Sequence, residues 1–205
     1  MISSHLISAT GFILLAVPAG VALALIRSWR QGDGAWRLVV RVAFAAYAAT
    51  LIGLVFFPLP LPPWQVPGFD SGPRLDLWPL PWANLTPFAT IGPSLGLGPD
   101  WPQFWILLGN IAAFVPLGVF LGVGWPRRHA WRRAFAVGLA TSVAIECGQL
   151  GLSLLMGYPY RAADIDDVIV NVAGTLLGYG MFRLADLVAR AWLPQRFVFW
   201  AGAGH

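Results

Sequence analysis

Glu146, Asp164, Asp167, Asn110, Asn171 and Gln149 stand within or at the edge of long apolar runs. A polar side chain in that setting is a functional candidate by default. Glu146 lies near the middle of its run, where a carboxylate facing hydrocarbon costs about 2.5–3.5 kcal/mol. It must therefore face a protein interior, where it could act as a general acid or base with Asp167 as its partner. Asn110, Asn171 and Gln149 supply amides for hydrogen bonding. Arg161 supplies a planar guanidinium suited to a phosphate or carboxylate. Asn84 opens the triplet Asn84-Leu85-Thr86, which matches a glycosylation acceptor. Pro87 follows it, so a turn or helix-cap role is the better reading.

Spacing gathers these groups onto faces. Asp164, Asp167, Asn171, Gly174 and Gly178 recur at intervals of 3, 4, 3 and 4 residues, one side of a helix. Gly138, Ser142, Glu146, Gln149 and Ser153 recur at 4, 4, 3 and 4, a second stripe on the preceding run. Counted from the helix ends, Asn110 and Asn171 fall about 10 Å deep, with Glu146 about one turn deeper. Asp164, Asp166, Asp167 and Arg161 ring the mouth above them. Each feature also has a plain structural reading. The amides could be interhelical glue at about 0.6 kcal/mol per bond. Gly118 with Gly122 and Gly174 with Gly178 are small-xxx-small packing motifs. Arg161 with Asp164 or Asp167 could form a local ion pair at a helix start.

The elements that position these residues are five apolar runs of membrane-crossing length: Leu6–Ile26, Leu38–Phe57, Gln103–Val123, Ala134–Met156 and Ile165–Phe182. The expected fold class is an all-α integral membrane protein, a single membrane domain over residues 1–205. The first run lacks a basic stretch before it, so a retained helix is favoured over a cleaved signal peptide. All thirteen basic residues are arginine, and eleven fall in the segments after the first, third and fifth runs or, for Arg41, in the first turn beyond one. Five crossings place those segments on one side, which the positive-inside rule makes cytoplasmic. The N-terminus is then outside, the C-terminus in the cytoplasm, and the polar mouth faces out of the plasma membrane. The eleven tryptophans fall in loops or near run ends, as interfacial rings do. The long outer loop of residues 58–102 is rich in proline and tryptophan, which forbids a long helix. Its length points to a lid, a docking surface or a re-entrant element. Arg183 is expected to snorkel from the last helix, and residues 190–205 to lie along the inner surface.

Composition excludes several function classes. The chain is 58% hydrophobic and 11% charged, outside the range of an ordinary soluble domain. The net charge of +4 comes from arginine clusters beside apolar runs and gives no surface for a nucleic acid. Cys147 is the single cysteine, so there is no disulfide framework. His5, His129 and His205 are scattered and make no metal-ligand spacing. No cofactor and no metal are expected, and no serine–histidine or cysteine–histidine pair marks a nucleophile.

Four segments, in order, resemble the VanZ-like family of small bacterial membrane proteins. They are Asn84-Leu85-Thr86-Pro87-Phe88; Gly109-Asn110 with Phe114-Val115-Pro116-Leu117-Gly118; Glu146 with Gln149; and Arg161, Asp164, Asp167, Asn171, Gly174 and Gly178. They cover residues 84–180, and the proline-tryptophan insert before Asn84 departs from the family pattern. The resemblance implies a cell-envelope setting and an association with teicoplanin-type glycopeptide resistance. The expected function is the binding of a membrane lipid, or of a lipid-linked or amphipathic ligand, in an outward polar cleft. Asn84, Asn110, Gln149, Arg161, Asp164 and Asn171 would make its contacts. One alternative is an intramembrane hydrolase or transferase with Glu146 and Asp167 as catalytic acid and base. Another is a structural module whose Gly174–Gly178 face binds a second chain.

Overall fold

A computed structural model describes residues 5–57, 59–60, 82–124, 130–157 and 161–192. Six α-helices are present among them: α1 (Ala9–Gln31), α2 (Ala35–Phe56), α3 (Ile91–Leu97), α4 (Pro102–Gly124), α5 (Ala130–Met156) and α6 (Ile165–Trp192). Two small strand pairs accompany them. β1 (His5–Ile7) pairs antiparallel with β2 (Leu59–Pro60), and β3 (Ala83–Asn84) pairs parallel with β4 (Ala163–Asp164). All helices except α3 are long and apolar enough to cross a membrane. Their large apolar side chains, such as Leu14, Leu15, Leu23 and Leu155, are exposed. In water such surface would be a liability; against lipid it is matched to its solvent.

The expected runs fall on these helices with shifted ends. The first begins at Ala9, because Leu6 belongs to a strand and Ser8 caps the helix by accepting the Gly11 N–H. It ends at Gly32, in the left-handed conformation at φ 63°, where glycine has no Cβ to clash. The fifth runs ten residues past Phe182, because its charged residues pair along the helix. Buried Asp186 sits 2.8 Å from Arg190 and 3.8 Å from Arg183. Arg183 therefore pairs with an acid within the helix instead of marking its end. Trp29, Trp36, Trp105, Trp131 and Trp192 lie in first or last turns, as interfacial residues do. Pro18 and Pro116 lie inside α1 and α4. Trp64, Trp78, Trp125 and Trp200, and the tail beyond Trp192, lie outside the described residues.

The chain divides into two compact units, Met1–Trp82 with Gly148–Ala162, and Ala83–Cys147 with Ala163–His205. In the first, α1 and α2 pack as an antiparallel hairpin. Gly53 meets Ile13 and Phe12, Gly20 meets Ala45, and the rings of Phe12 and Phe57 stack at 4.2 Å. An Asp33–Arg41 ion pair closes the turn between them.

In the second unit, α4 and α6 run parallel and touch backbone to backbone. A Cβ on Gly174 would overlap the Ile111 carbonyl, and one on Gly178 the Val115 carbonyl. One on Gly118 would overlap the Thr175 carbonyl, and one on Gly122 the Phe182 ring. Both small-xxx-small motifs are thus consumed within the chain. The expectation that the Gly174–Gly178 face binds a second chain is corrected accordingly. The N-terminal part of α5 packs antiparallel to α6, with Gly138 against Thr175 and Ala130 and Ala134 against Tyr179. Twelve residues of α6 are buried, against five of α4, so α6 is the axis of this unit.

Candidate functional site

The site is built on the first three turns of α6. Asp164 caps the helix: its Oδ1 accepts the Asp166 N–H at 2.9 Å. The same carboxylate accepts the Thr90 hydroxyl at 2.8 Å and the Asn84 amide at 3.1 Å. The backbone N–H of Asp164 donates to Glu146 Oε2 at 2.9 Å, so Glu146 on α5 fixes the entry of the chain into α6. One turn on, Asp167 Oδ1 accepts the Asn110 amide of α4 at 2.7 Å. A further turn along, the Asn171 amide donates to the Ser142 hydroxyl of α5 at 2.9 Å. Thr175 then donates to the Asn171 carbonyl at 3.0 Å. Acids in the first turn also complement the partial positive charge of the helix N-terminus.

Asn84, Asn110, Glu146, Asp164, Asp167 and Asn171 are thus brought along the start of α6, linked by hydrogen bonds of Asp164 to Asn84 and Glu146, Asp167 to Asn110 and Asn171 to Ser142. The depth order differs from expectation. Glu146 is level with the first residue of α6, Asn110 is a turn further in, and Asn171 a turn beyond that. The reason is that α6 starts beside Glu146, which stands ten residues, about 15 Å, before the end of α5. Depth counted from the end of α5 overstates how far Glu146 lies from the α6 mouth.

The remaining expected site residues lie in the first unit. Gln149 donates to the Val55 carbonyl of α2 at 3.1 Å. Arg161 exchanges two backbone hydrogen bonds with the buried Ser153 hydroxyl, at 2.8 and 3.1 Å. The whole α5 stripe is therefore in use: Gly138, Ser142 and Glu146 toward α6, Gln149 and Ser153 in the other unit.

Sequence reasoning named Asp166 at the mouth without giving it a task. Its carboxylate, 1% exposed, accepts three backbone N–H groups: Phe88 at 2.6 Å, Thr90 at 2.7 Å and Ile91 at 3.0 Å. It caps α3 from another element. Asp166 lies off the 164–167–171 stripe, so periodicity passes it over. The proline-broken loop, whose amides need an acceptor, was the available signal. Asn84 does form the turn its sequence suggested, accepting the Thr86 N–H at 3.1 Å. In the loop of residues 58–102, where proline forbids a long helix, the described part holds the seven-residue α3 and a 3₁₀ turn at Gly98–Asp100.

Two buried polar atoms on α6, Asn171 Oδ1 and the Tyr179 hydroxyl, have no hydrogen-bond partner among the described residues. No group of three or more His, Cys, Asp or Glu residues is arranged for a metal ion among them. Cys147 is exposed and free.

This arrangement, acids and amides on a helix start beneath a proline loop, coincides with a known sequence family. The VanZ/LLP1 family model matches residues 44–186. The chain belongs to the VanZ/LLP1 family. The match takes in α3, α4, α5 and every site residue above, and most of α2 and α6. Protein VanZ of Enterococcus faecium is 29% identical over 150 residues, covering 73% of this chain and 77% of that protein. No solved structure matches significantly. Family and helices together make this a multi-pass membrane protein of VanZ type.

Proposed function

We propose that this VanZ/LLP1 protein sits in the plasma membrane with the α6 N-terminus facing outward. There it binds a lipid-linked or amphipathic ligand, and so lowers susceptibility to teicoplanin-type glycopeptides. The supporting observation is the density of polar function on one stretch of α6. Within eight residues, Asp164, Asp167 and Asn171 hold Glu146, Asn110 and Ser142, and Asn171 keeps a buried acceptor unpaired. Helix packing alone needs only the glycine seam. A ligand head group would meet Asn84, Asn110 and Asp164, with Asn171 offering its free oxygen deeper. The arginine asymmetry supports the orientation.

The test pairs cells with purified protein. Production of the chain lowers teicoplanin susceptibility, and Asp167→Asn and Asn171→Leu lose the effect while staying in the membrane. Purified protein in nanodiscs binds a fluorescent polyprenyl-linked saccharide saturably and leaves it unchanged. If that saccharide is instead converted, and Glu146→Gln abolishes the conversion, the binding reading fails. The intramembrane hydrolase or transferase with Glu146 as general acid–base then takes its place.

A further inference from the structure

We infer that residues Leu85–Leu97 form a re-entrant hairpin dipping into the leaflet that holds the α6 N-terminus. Its exposed side chains Leu85, Phe88, Leu95 and Leu97 lie against lipid acyl chains. Three observations carry this independently of any ligand.

The first is the accounting of backbone donors. Hydrocarbon cannot hydrogen-bond an amide, so irregular chain at membrane depth survives only if every N–H finds a protein acceptor. Thr86 donates to Asn84 Oδ1, and Phe88, Thr90 and Ile91 donate to Asp166. Ala89 donates to the Thr86 carbonyl, Gly92 to that of Phe88 and Ser94 to that of Thr90. Pro87 and Pro93 have no N–H. Every donor from Thr86 to Ser94 is satisfied, with a buried carboxylate supplied from α6 for the three that the loop cannot serve itself. A loop in water has no need of this.

The second is depth. Ile91 is bonded to Asp166, whose neighbour Asp167 is bonded to Asn110. Asn110 lies eight residues, about 12 Å, along α4 from its first residue, Pro102. The α3 N-terminus is thus within a side chain's length of that level. The chain then has α3, about 10 Å long, and one 3₁₀ turn, about 6 Å, to climb back to Pro102. It must climb steeply, as a re-entrant segment does. Trp105 Nε1 ties the upper part to α4 by donating to the Pro99 carbonyl at 2.9 Å.

The third is chemistry. Residues 84–99 carry no charge, and Asp100 is the first acid after them. Leu85 and Phe88 are 76% and 62% exposed, while Ser94 is buried and donates to the Thr90 carbonyl. Phe88 takes the left-handed region at φ 66°, uncommon for a bulky residue, and its N–H is held there by Asp166. The strain turns an aromatic ring outward, to where acyl chains would receive it.

The experiment replaces Cys147 with Ser and places a single fluorescent cysteine label at Leu95 or at Asp100. The protein is reconstituted in phosphatidylcholine–phosphatidylglycerol vesicles. Nitroxide lipids labelled on the acyl chain quench the Leu95 probe several-fold more than head-group-labelled lipids do, and the Asp100 probe shows the reverse. Aqueous iodide reaches only the Asp100 probe. Equal quenching at both positions, or iodide access at Leu95 matching that at Asp100, overturns the proposal. Should Leu95→Cys fail to fold, Leu97→Cys gives the same readout with the same two outcomes.

Discussion

Removing Asp166 tests how the loop above α6 is held. Its carboxylate takes three backbone donors at 2.6, 2.7 and 3.0 Å and is almost wholly buried. Hydrogen bonds to a charged group contribute about 1.5–3 kcal/mol each. Local opening of the loop lets some freed amides find water, so the full total is not realised. Counting two bonds at the lower figure leaves about 3 kcal/mol, which is about a hundredfold in the opening equilibrium. Asp166→Ala therefore exchanges amide hydrogens over residues 86–94 about a hundredfold faster in nanodiscs, read by mass spectrometry. The peptide covering Asn171–Tyr179 serves as the internal reference and stays slow. Asp166→Asn keeps one carbonyl acceptor and loses the charge, so it falls between, near tenfold. Unchanged exchange over 86–94 in Asp166→Ala would refute the latch. So would an equal acceleration across α6, which would make Asp166 a support of the helices and not of the loop.

Four other outcomes follow from the same geometry. Gly118→Ala and Gly178→Ala force a methyl into a carbonyl oxygen across the α4–α6 seam, so both lower the yield of folded protein sharply. Gly109→Ala on the same helix α4, with open space around its Cβ position, leaves yield and melting temperature unchanged or slightly raised. Glu146→Ala orphans the Asp164 N–H at a cost of about 1–3 kcal/mol, whereas Glu146→Gln keeps an acceptor and recovers most of it, as thermal unfolding in detergent will show. Phe88→Gly relieves about 1–2 kcal/mol of left-handed strain, so melting temperature holds or rises while quenching of the Leu95 probe by chain-labelled lipid falls.

The five long helices were legible because membrane-length apolar runs have few other interpretations. Their ends were less so. Leu6 is as apolar as its neighbours, and only its pairing partner, distant in sequence, makes it strand. Phe182 looked terminal because Arg183 follows, yet a charge ends a span only if nothing along the helix neutralises it, and Asp186 does. At the site, the 3-4-3-4 spacing correctly put Asp167 and Asn171 on the face that meets neighbouring helices. Of the α5 stripe, Ser142 and Glu146 meet the α6 side as one face would, whereas Gln149 donates to the Val55 carbonyl of α2. What spacing could not give was level, since level depends on where α6 begins along α5. Nor could it give Asp166 its role: that residue serves amides about 75 residues earlier in the chain, and no local period records such a partnership.

The glycine seam limits how this protein can move. At Gly118, Gly174 and Gly178 the main chains of α4 and α6 touch directly, so sliding one helix past the other meets carbonyl oxygens there. Those two helices form a stiff plate. Any gating in this unit must come from what packs on the plate, such as the piece latched to it by two aspartates, not from shear within it.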